Sequence, residues 1–243
     1  MSNYKQMADD LSNWIALQVK AAGLKGAVFG LSGGIDSAVV AGLARRALGR
    51  NALGVIMPCH SNPEDREHAL LCAHAFDLPV AEVDLGPTYD KLLSTLLEAA
   101  PDISPDRMSK ANLKPRLRMS TLYYFANVHS YLVLGTGNRS ELTVGYFTKH
   151  GDGGVDAMPI AGLVKSEVRG LATELGVPGE IIDKPPSAGL WENQTDEGEM
   201  GLSYKQLDSY ILTGEAEPEI RQRIERLMAG SAHKRKLPPT PQS

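Results

Sequence analysis

The stretch GLSGGIDSAVVAGLARRALG, at Gly30–Gly49, decides the fold of this chain. It overlaps the short apolar run Gly26–Ser32 and continues into a helical pattern at Ala38–Leu48. An apolar run flanked by glycines is typical of a buried parallel strand, and a glycine after the last periodic residue is typical of a helix end. The stretch therefore predicts a strand, a glycine-rich turn and a helix in direct succession.

The same alternation continues on both sides of this unit. Further strands are predicted at 52–58, 78–86 and 131–137, and helices at 4–22, 63–76, 88–99, 117–129, 164–175, 204–212 and 218–228. Strands that alternate with helices favour a parallel sheet with right-handed crossovers. We predict a single α/β domain over residues 1–243, an open parallel sheet with helices on both faces.

Three segments lack any periodicity and are predicted as mobile loops or tails: 101–115, 183–201 and the tail 236–243. The glycine-rich segment 145–161 is also predicted as a loop. Long loops inside a compact domain are usually functional or disordered. Within 183–201, we interpret Asp196, Glu197 and Glu199 as residues that keep a surface loop soluble.

Composition and charge narrow the classes of function. The 243 residues carry a net charge of −4, which disfavours a general nucleic-acid binder. No apolar run approaches the roughly 18 residues that a membrane span needs. The two cysteines form no CxxC pair, and we expect them to be free thiols. We therefore expect a cytoplasmic protein that binds neither nucleic acid nor a membrane.

The turn after the first strand has the chemistry of a phosphate site. Its glycines allow close backbone approach, the following helix presents free N–H groups, and Ser32 and Ser37 add hydroxyl donors. Asp36 would repel a phosphate unless Mg²⁺ lay between them. The turn matches neither the GxxxxGK[ST] nor the GxGxxG pattern. The alternative is that this segment is only a tight turn in an ordinary α/β core and binds no phosphate.

The hexapeptide SGGIDS at Ser32–Ser37 resembles the loop of the PP-loop, or N-type, ATP pyrophosphatases. That resemblance implies a Rossmann-like fold of the adenine nucleotide alpha hydrolase type. It also implies adenylation of a substrate with release of pyrophosphate.

The second half of the chain sharpens this resemblance. Three segments resemble the ammonia-dependent NAD synthetases. They are LGTGNRSELTVGYFTKHGDGGVDAMPIAGLVKSEVRGLA at Leu134–Ala172, KPPSAGLWENQTDEGEMGLSY at Lys184–Tyr204 and the tripeptide at His233–Arg235. The resemblance covers essentially the whole chain. It implies ATP-dependent amidation of deamido-NAD with ammonia, through an NAD-adenylate, to NAD, AMP and pyrophosphate.

The resemblance also implies roles for individual residues. The implied ATP-binding residues are Gly30, Leu31, Ser32, Gly33, Gly34, Ile35, Asp36, Ser37, Thr136, Lys165 and Ser187. The implied Mg²⁺ ligands are Asp36 and Glu141. The implied deamido-NAD-binding residues are Arg116, Lys149, Asp156, His233 and Lys234. Asp36 and Lys165 would be catalytic, and Asp152 is a candidate general base by position. Pro115 stands where we expect a small residue, so Arg118 is the next candidate after Arg116.

The resemblance further implies a homodimer with the dinucleotide at its interface. We expect free ammonia as the donor, because too few residues precede the first predicted strand for a fused glutaminase domain; a separate glutaminase partner stays open. Two other classes of function stay open at this point. One is another PP-loop adenylating synthetase; the other is a non-catalytic nucleotide-binding module, which Asp36, Glu141 and Lys165 together argue against.

Overall fold

Four parallel strands form the centre of the computed structural model, which describes residues 3–191 and 194–241. They are β1 (Gly26–Gly30), β2 (Ala52–Ile56), β3 (Val80–Glu82) and β4 (Tyr131–Val133), in the order β3-β2-β1-β4. All neighbouring strands pair in parallel. The predicted α/β fold class is confirmed, with shorter strands than the apolar runs suggested.

The helices are α1 (Tyr4–Ala21), α2 (Ile35–Leu48), α3 (Pro63–Ala75), α4 (Gly86–Ala99), α5 (Arg107–Ala111), α6 (Leu113–His129), α7 (Arg139–Val144), α8 (Lys165–Leu175), α9 (Gly179–Asp183), α10 (Asp196–Met200), α11 (Tyr204–Thr213) and α12 (Pro218–Gly230). Short 3₁₀ turns lie at Gly49–Asn51 and Ala232–Arg235. Each long helix predicted from the sequence is present.

Helices cover both faces of the sheet. Along β1, Ala27 and Phe29 point into a core shared with α1, α2 and α8, whereas Val28 points into a second core with α4 and α6. This alternation is the side-chain period of a strand that is buried on both faces. A third apolar cluster joins α7, α10, α11 and α12.

Because β1 and β4 are neighbouring parallel strands, the loops that follow them meet at the carboxyl edge of the sheet.

Two segments predicted as loops contain helices. The segment 101–115 holds α5 and the first turn of α6, where Pro115 is tolerated because first-turn N–H groups need no helical partner. The segment 183–201 holds α10, and its residues 192–193 lie outside the described part of the chain. Mobility of both segments stays a prediction. The tail has no regular structure over 236–241, and residues 242–243 are not described.

Both cysteines are free, as predicted, and the structure shows that both are buried. Burial raises the pKa of the Cys72 thiol to about 12 and raises that of Cys59 as well. A thiol with a raised pKa is a poor nucleophile at neutral pH. Across residues 3–191 and 194–241, every helix is too short or too polar to cross a membrane.

Candidate active site

Hydrogen bonds within the loop between β1 and α2 fix its conformation. Gly33 has a φ of +79°, and a Cβ atom there would lie 2.2 Å from the carbonyl oxygen of Asp65, so the position requires glycine. Ser37 Oγ accepts the N–H of Ser32 at 3.2 Å and donates to the carbonyl of Gly34 at 2.9 Å. Gly34 supplies no side-chain cap to α2. The first N–H groups of α2 are therefore free for an anion.

Side chains from three different helices meet beside this loop. Asp36 comes from the first turn of α2, Glu141 from α7 and Lys165 from the first residue of α8. The Lys165 ammonium donates to Asp36 Oδ2 and lies 3.8 Å from Glu141 Oε1. Only 5% of Lys165 is exposed. The family resemblance selected all three residues. Lys165 contacts the other two, although 129 positions of sequence separate it from Asp36.

Asn138, which the sequence analysis did not select, joins two of these residues. Its amide nitrogen donates to Asp36 Oδ1 at 2.9 Å, and its amide oxygen accepts the N–H of Glu141 at 3.0 Å. Glu141 in turn accepts the backbone N–H of Asn138 at 3.1 Å. This capping box at the start of α7 fixes the orientation of both carboxylates. The Asn-x-x-Glu spacing was a signal available in the sequence.

The interpretation of Asp196 as a solubilising residue is wrong. Asp196 is 4% exposed and accepts the Tyr204 hydroxyl on Oδ2 at 2.9 Å. Glu197 and Glu199 also make internal contacts, with the Tyr204 N–H at 2.8 Å and the Tyr146 hydroxyl at 2.6 Å. In the described part of the chain, Asp196 Oδ1 is buried with no hydrogen-bond partner. We call Asp36, Glu141, Asp196 and Lys165 the acidic cluster.

The acidic cluster has three carboxylates and one ammonium group. Burial, followed by repulsion from Asp36, raises the pKa of Glu141 well above its ordinary value. Burial likewise raises the pKa of Asp196. Burial disfavours the charged form of Lys165, but the attraction of Asp36 and Glu141 is stronger, and its pKa is raised. The surplus of negative charge favours binding of a further cation.

The donors of this cluster suit Mg²⁺. Carboxylate oxygens are the hard ligands that the ion prefers, and the unpartnered oxygen of Asp196 is a buried acceptor in need of a cation or a proton. Among residues 3–191 and 194–241, no three side chains are arranged to hold a metal ion by themselves. An ion held by Asp36 and Glu141 would therefore complete its coordination with phosphate oxygens and water, as Mg²⁺ commonly does.

A second group of predicted residues forms a cationic surface, defined here as Lys149, His233 and Lys234. Lys149 donates to the carbonyl of His233 at 3.1 Å. Lys234 donates to the carbonyls of Gly145 and Phe147 at 2.8 and 2.7 Å. Within the described ranges, neither lysine has a carboxylate at ion-pair distance. Their positive charge is therefore available to an anionic ligand.

Two predicted aspartates lie near this surface. Asp152 is exposed to solvent yet surrounded by protein on most sides, and this partial desolvation raises its pKa. Its Oδ1 accepts the N–H of Thr148 at 2.8 Å. Asp156 accepts the N–H of Val133 and the Tyr123 hydroxyl, both at 2.9 Å. Asp156 therefore ties the loop 145–161 to β4.

Within the described part of the chain, the remaining predicted residues make no hydrogen bond to either group. Arg116 is exposed on α6, whereas Arg118 is half-buried and donates to the carbonyl of Met57 at 3.1 Å. Thr136 is half-buried in the loop that precedes α7. Ser187 is exposed and its hydroxyl accepts the N–H of Gly189 at 3.1 Å. Arg118 therefore points to the carboxyl edge of the sheet, because Met57 directly follows β2.

The glycine–serine loop, the parallel sheet and the acidic cluster define a nucleotide-binding α/β protein of the PP-loop class. The model of the NAD synthase family matches residues 7–238, which is nearly the whole chain. This chain belongs to the NAD synthase family.

Individual relatives agree with this assignment. The chain is 50% identical over 239 residues to an NH3-dependent NAD+ synthetase from Carboxydothermus hydrogenoformans, with 98% of each chain covered. Its fold is similar to an NMN synthetase structure from Francisella tularensis, with a TM-score of 0.95, 36% identity and full coverage of both chains. An NH3-dependent NAD synthetase from Campylobacter jejuni gives a TM-score of 0.81 at 30% identity, again with full coverage of both chains.

Proposed function

We propose that this chain joins ammonia to the nicotinate carboxyl group of deamido-NAD with ATP, forming NAD⁺, AMP and pyrophosphate. The observation that carries the proposal is the contact of Lys165 with Asp36 and Glu141 beside the loop at 31–34. The family and the relative from Carboxydothermus hydrogenoformans support the choice of substrates. The reaction forms a C–N bond and cleaves ATP between its α- and β-phosphates.

The first step is adenylation of the carboxylate. A carboxylate oxygen bonds to the α-phosphorus, and the bond from that phosphorus to the pyrophosphate oxygen breaks. The free N–H groups at the start of α2 favour phosphates at the loop 31–34. Lys165 stabilises the charge that develops on the α-phosphate. The nucleophile belongs to the substrate, so the reaction does not need Cys59 or Cys72, and their raised pKa values agree with this.

Asp36 and Glu141 are the residues that we propose hold Mg²⁺, together with phosphate oxygens. When bound, the ion neutralises phosphate charge and promotes the departure of pyrophosphate. In the chain alone, Lys165 offsets part of the charge on the two carboxylates. Thr136 and Ser187 remain proposed ATP contacts, from the loop before α7 and the segment before α10.

The second step is attack by ammonia. An ammonium ion first gives a proton to Asp152. The nitrogen of ammonia then bonds to the acyl carbon, the bond from that carbon to the AMP oxygen breaks, and a second proton passes from the nitrogen to the departing AMP phosphate. The raised pKa of Asp152 supports its role as the base, because a base works best when its pKa lies near the working pH. Lys149 and Lys234 supply positive charge for the phosphates of the dinucleotide, and His233 lies beside Lys149 on the same surface. Asp156 holds the loop that carries Lys149 and Asp152 against β4.

We also propose that the dinucleotide site is completed by a second copy of the chain, in a homodimer. Tyr124 and Val128 are exposed on α6 four residues apart, so they share one face of the helix, and Arg116 is exposed on the first turn of the same helix. Exposed apolar side chains beside a cation support an interface there. The free, buried cysteines support a reducing compartment, and a cytoplasmic location is part of the proposal.

The similarity to the NMN synthetase structure favours a second candidate substrate. That TM-score of 0.95 exceeds the 0.81 for the NAD synthetase from Campylobacter jejuni. The alternative acceptor is nicotinate mononucleotide, which has the same carboxyl group but lacks the adenylyl half. Both candidates use the same adenylation chemistry, so the acidic cluster does not distinguish them.

A single assay separates these possibilities. The purified chain is incubated with ATP, Mg²⁺ and ammonium, together with either deamido-NAD or nicotinate mononucleotide, and NAD⁺, NMN, AMP and pyrophosphate are measured. We expect kcat/KM to be higher for deamido-NAD, with AMP and pyrophosphate formed in equal amounts. A higher value for the mononucleotide would establish the second candidate. A folded chain that forms neither amide would overturn the proposed function.

A further inference from the structure

A buried carboxylate behind the acidic cluster has no role in the reaction described so far. Asp208 lies on α11 and is 5% exposed. It makes no ion pair within the described ranges. A buried carboxylate without a cation needs several hydrogen-bond donors to remain charged. The identity of those donors indicates what Asp208 does.

All three donors to Asp208 belong to the starts of α7 and α8. Asp208 Oδ1 accepts the Ser140 hydroxyl at 2.6 Å and the backbone N–H of Lys165 at 3.3 Å. Asp208 Oδ2 accepts the backbone N–H of Ser166 at 2.8 Å. These donors lie 42 to 68 residues away along the chain. One carboxylate therefore binds two helices at once.

At α8, the Asp208 side chain replaces that of an N-cap residue. The residue before the helix is Val164, whose side chain has no oxygen to accept the first N–H groups. Asp208 accepts two of them from a different helix, and its negative charge is stabilised by the positive end of the helix dipole. The first residue of the helix fixed in this way is Lys165 itself.

At α7, Asp208 holds the residue directly before Glu141. Ser140 is fully buried, and its hydroxyl also accepts the N–H of Lys165 at 3.1 Å. The two helix starts are therefore fixed to each other as well as to Asp208. The separation between the Lys165 and Glu141 side chains depends on this arrangement.

We infer that Asp208 is a positioning residue that sets Lys165 and Glu141 at their working distance for adenylation. This inference rests on the proposed function, because the working distance matters only if both residues act on ATP. The hydrogen bonds of Asp208 in the described chain go to Ser140 and to the backbone of Lys165 and Ser166, so we do not count it as a catalytic residue. It acts through the backbone of α8 and through Ser140.

The test compares Asp208→Asn and Ser140→Ala with the wild type. In D208N, an amide group replaces one acceptor oxygen and faces backbone N–H donors. Loss of outer hydrogen-bond partners commonly costs about 10–100-fold in activity or metal affinity, so kcat should fall in that range. The Mg²⁺ concentration for half-maximal activity should rise, and KM for deamido-NAD should stay unchanged. S140A should move both values in the same direction by less.

Asp77→Asn is the matched control, since Asp77 pairs with Arg45 at the C-terminal end of α3 and touches no residue of the site. It should leave kcat and the Mg²⁺ midpoint unchanged. If D208N lowered only the melting temperature and kept the Mg²⁺ midpoint and kcat of the folded fraction, Asp208 would be a structural cap and the inference would fail.

If D208N does not fold, the inference is tested with S140A alone. We expect S140A to fold, because Asp208 keeps its hydrogen bonds to the backbone of Lys165 and Ser166 in this variant. An S140A variant with wild-type kcat and Mg²⁺ midpoint would then overturn the inference. A wild-type chain without ligase activity would instead overturn the proposed function, so the two failures are distinguishable.

Discussion

The acidic cluster and the cationic surface differ in how complete they are. In the acidic cluster, Lys165 contacts Asp36 and Glu141 directly, and the Tyr204 hydroxyl connects Asp196 with Glu141. On the cationic surface, the hydrogen bonds of the Lys149 and Lys234 ammonium groups within the described residues go to backbone carbonyls, and Lys234 also lies over the Phe147 ring. We propose from this difference that the chain preorganises the ATP site by itself, whereas the dinucleotide site is completed on binding.

The largest effect is expected at the centre of the acidic cluster. Asp36→Ala removes a proposed Mg²⁺ ligand and the ion-pair partner of Lys165, so turnover should fall by about 10³-fold or more. Circular dichroism should show that the fold is retained. Product formation near the wild-type rate would remove Asp36 from the mechanism.

Lys165→Ala should combine loss of activity with loss of stability. Without the ammonium group, buried carboxylates remain with no cation, and removing one partner of a buried pair costs about 3–5 kcal/mol. Denaturant unfolding in a Mg²⁺-free buffer measures this loss. A variant as stable as the wild type would show that the cluster is not preorganised by charge.

The cationic surface should respond differently to the same kind of change. Lys234→Ala removes two hydrogen bonds to backbone carbonyls, so the free energy of unfolding should fall by about 1 kcal/mol. Loss of a charged contact to the ligand should raise KM for deamido-NAD by roughly 10-fold, while KM for ATP is unchanged. A rise in KM for ATP alone would reverse the assignment of the two regions.

The smallest effect concerns pH and Glu141. Its pKa is higher in the folded chain than its ordinary value of 4.5, so the folded state keeps a proton that the unfolded state has released. The free energy of unfolding should therefore fall as pH rises from that ordinary value through the raised one. Glu141→Gln lacks this titration, so in a Mg²⁺-free buffer its stability relative to the wild type should increase as pH rises through that range.

Glu98→Gln is the control for this comparison, because Glu98 is exposed on α4. Chemical denaturation at several pH values measures both variants against the wild type. If the difference between E141Q and the wild type did not grow with pH, Glu141 would not be held in the proton-binding state that we describe.

The sequence predicted the sheet, the long helices and the loop at 31–34, because each is defined by local patterns. Gly33 illustrates this: the glycine pattern alone indicated a turn, and the structure adds the 2.2 Å approach to Asp65 that requires it. The roles of Asp36, Glu141 and Lys165 at one site followed from the family resemblance, since no local pattern relates three residues so far apart. The structure adds the contacts of Lys165 with the two carboxylates.

The residues behind the site were missed for a physical reason. Asp196 and Asp208 are polar residues in polar segments, and a single sequence does not distinguish a buried carboxylate from a solvated one. Their burial depends on how α10 and α11 pack against α7 and α8. The helix α5 was missed because the surrounding prolines and polar residues are typical of a loop.

If this chain adenylates the carboxylate of its substrate beside the acidic cluster, one carboxylate oxygen must be transferred to AMP. Deamido-NAD labelled with ¹⁸O in both carboxylate oxygens tests this transfer directly, with mass spectrometry of the products. Attack of the carboxylate on the α-phosphorus predicts one ¹⁸O in AMP, none in pyrophosphate and one in the amide of NAD⁺. NAD⁺ formed together with AMP that carries no ¹⁸O would show that the carboxylate does not attack the α-phosphorus.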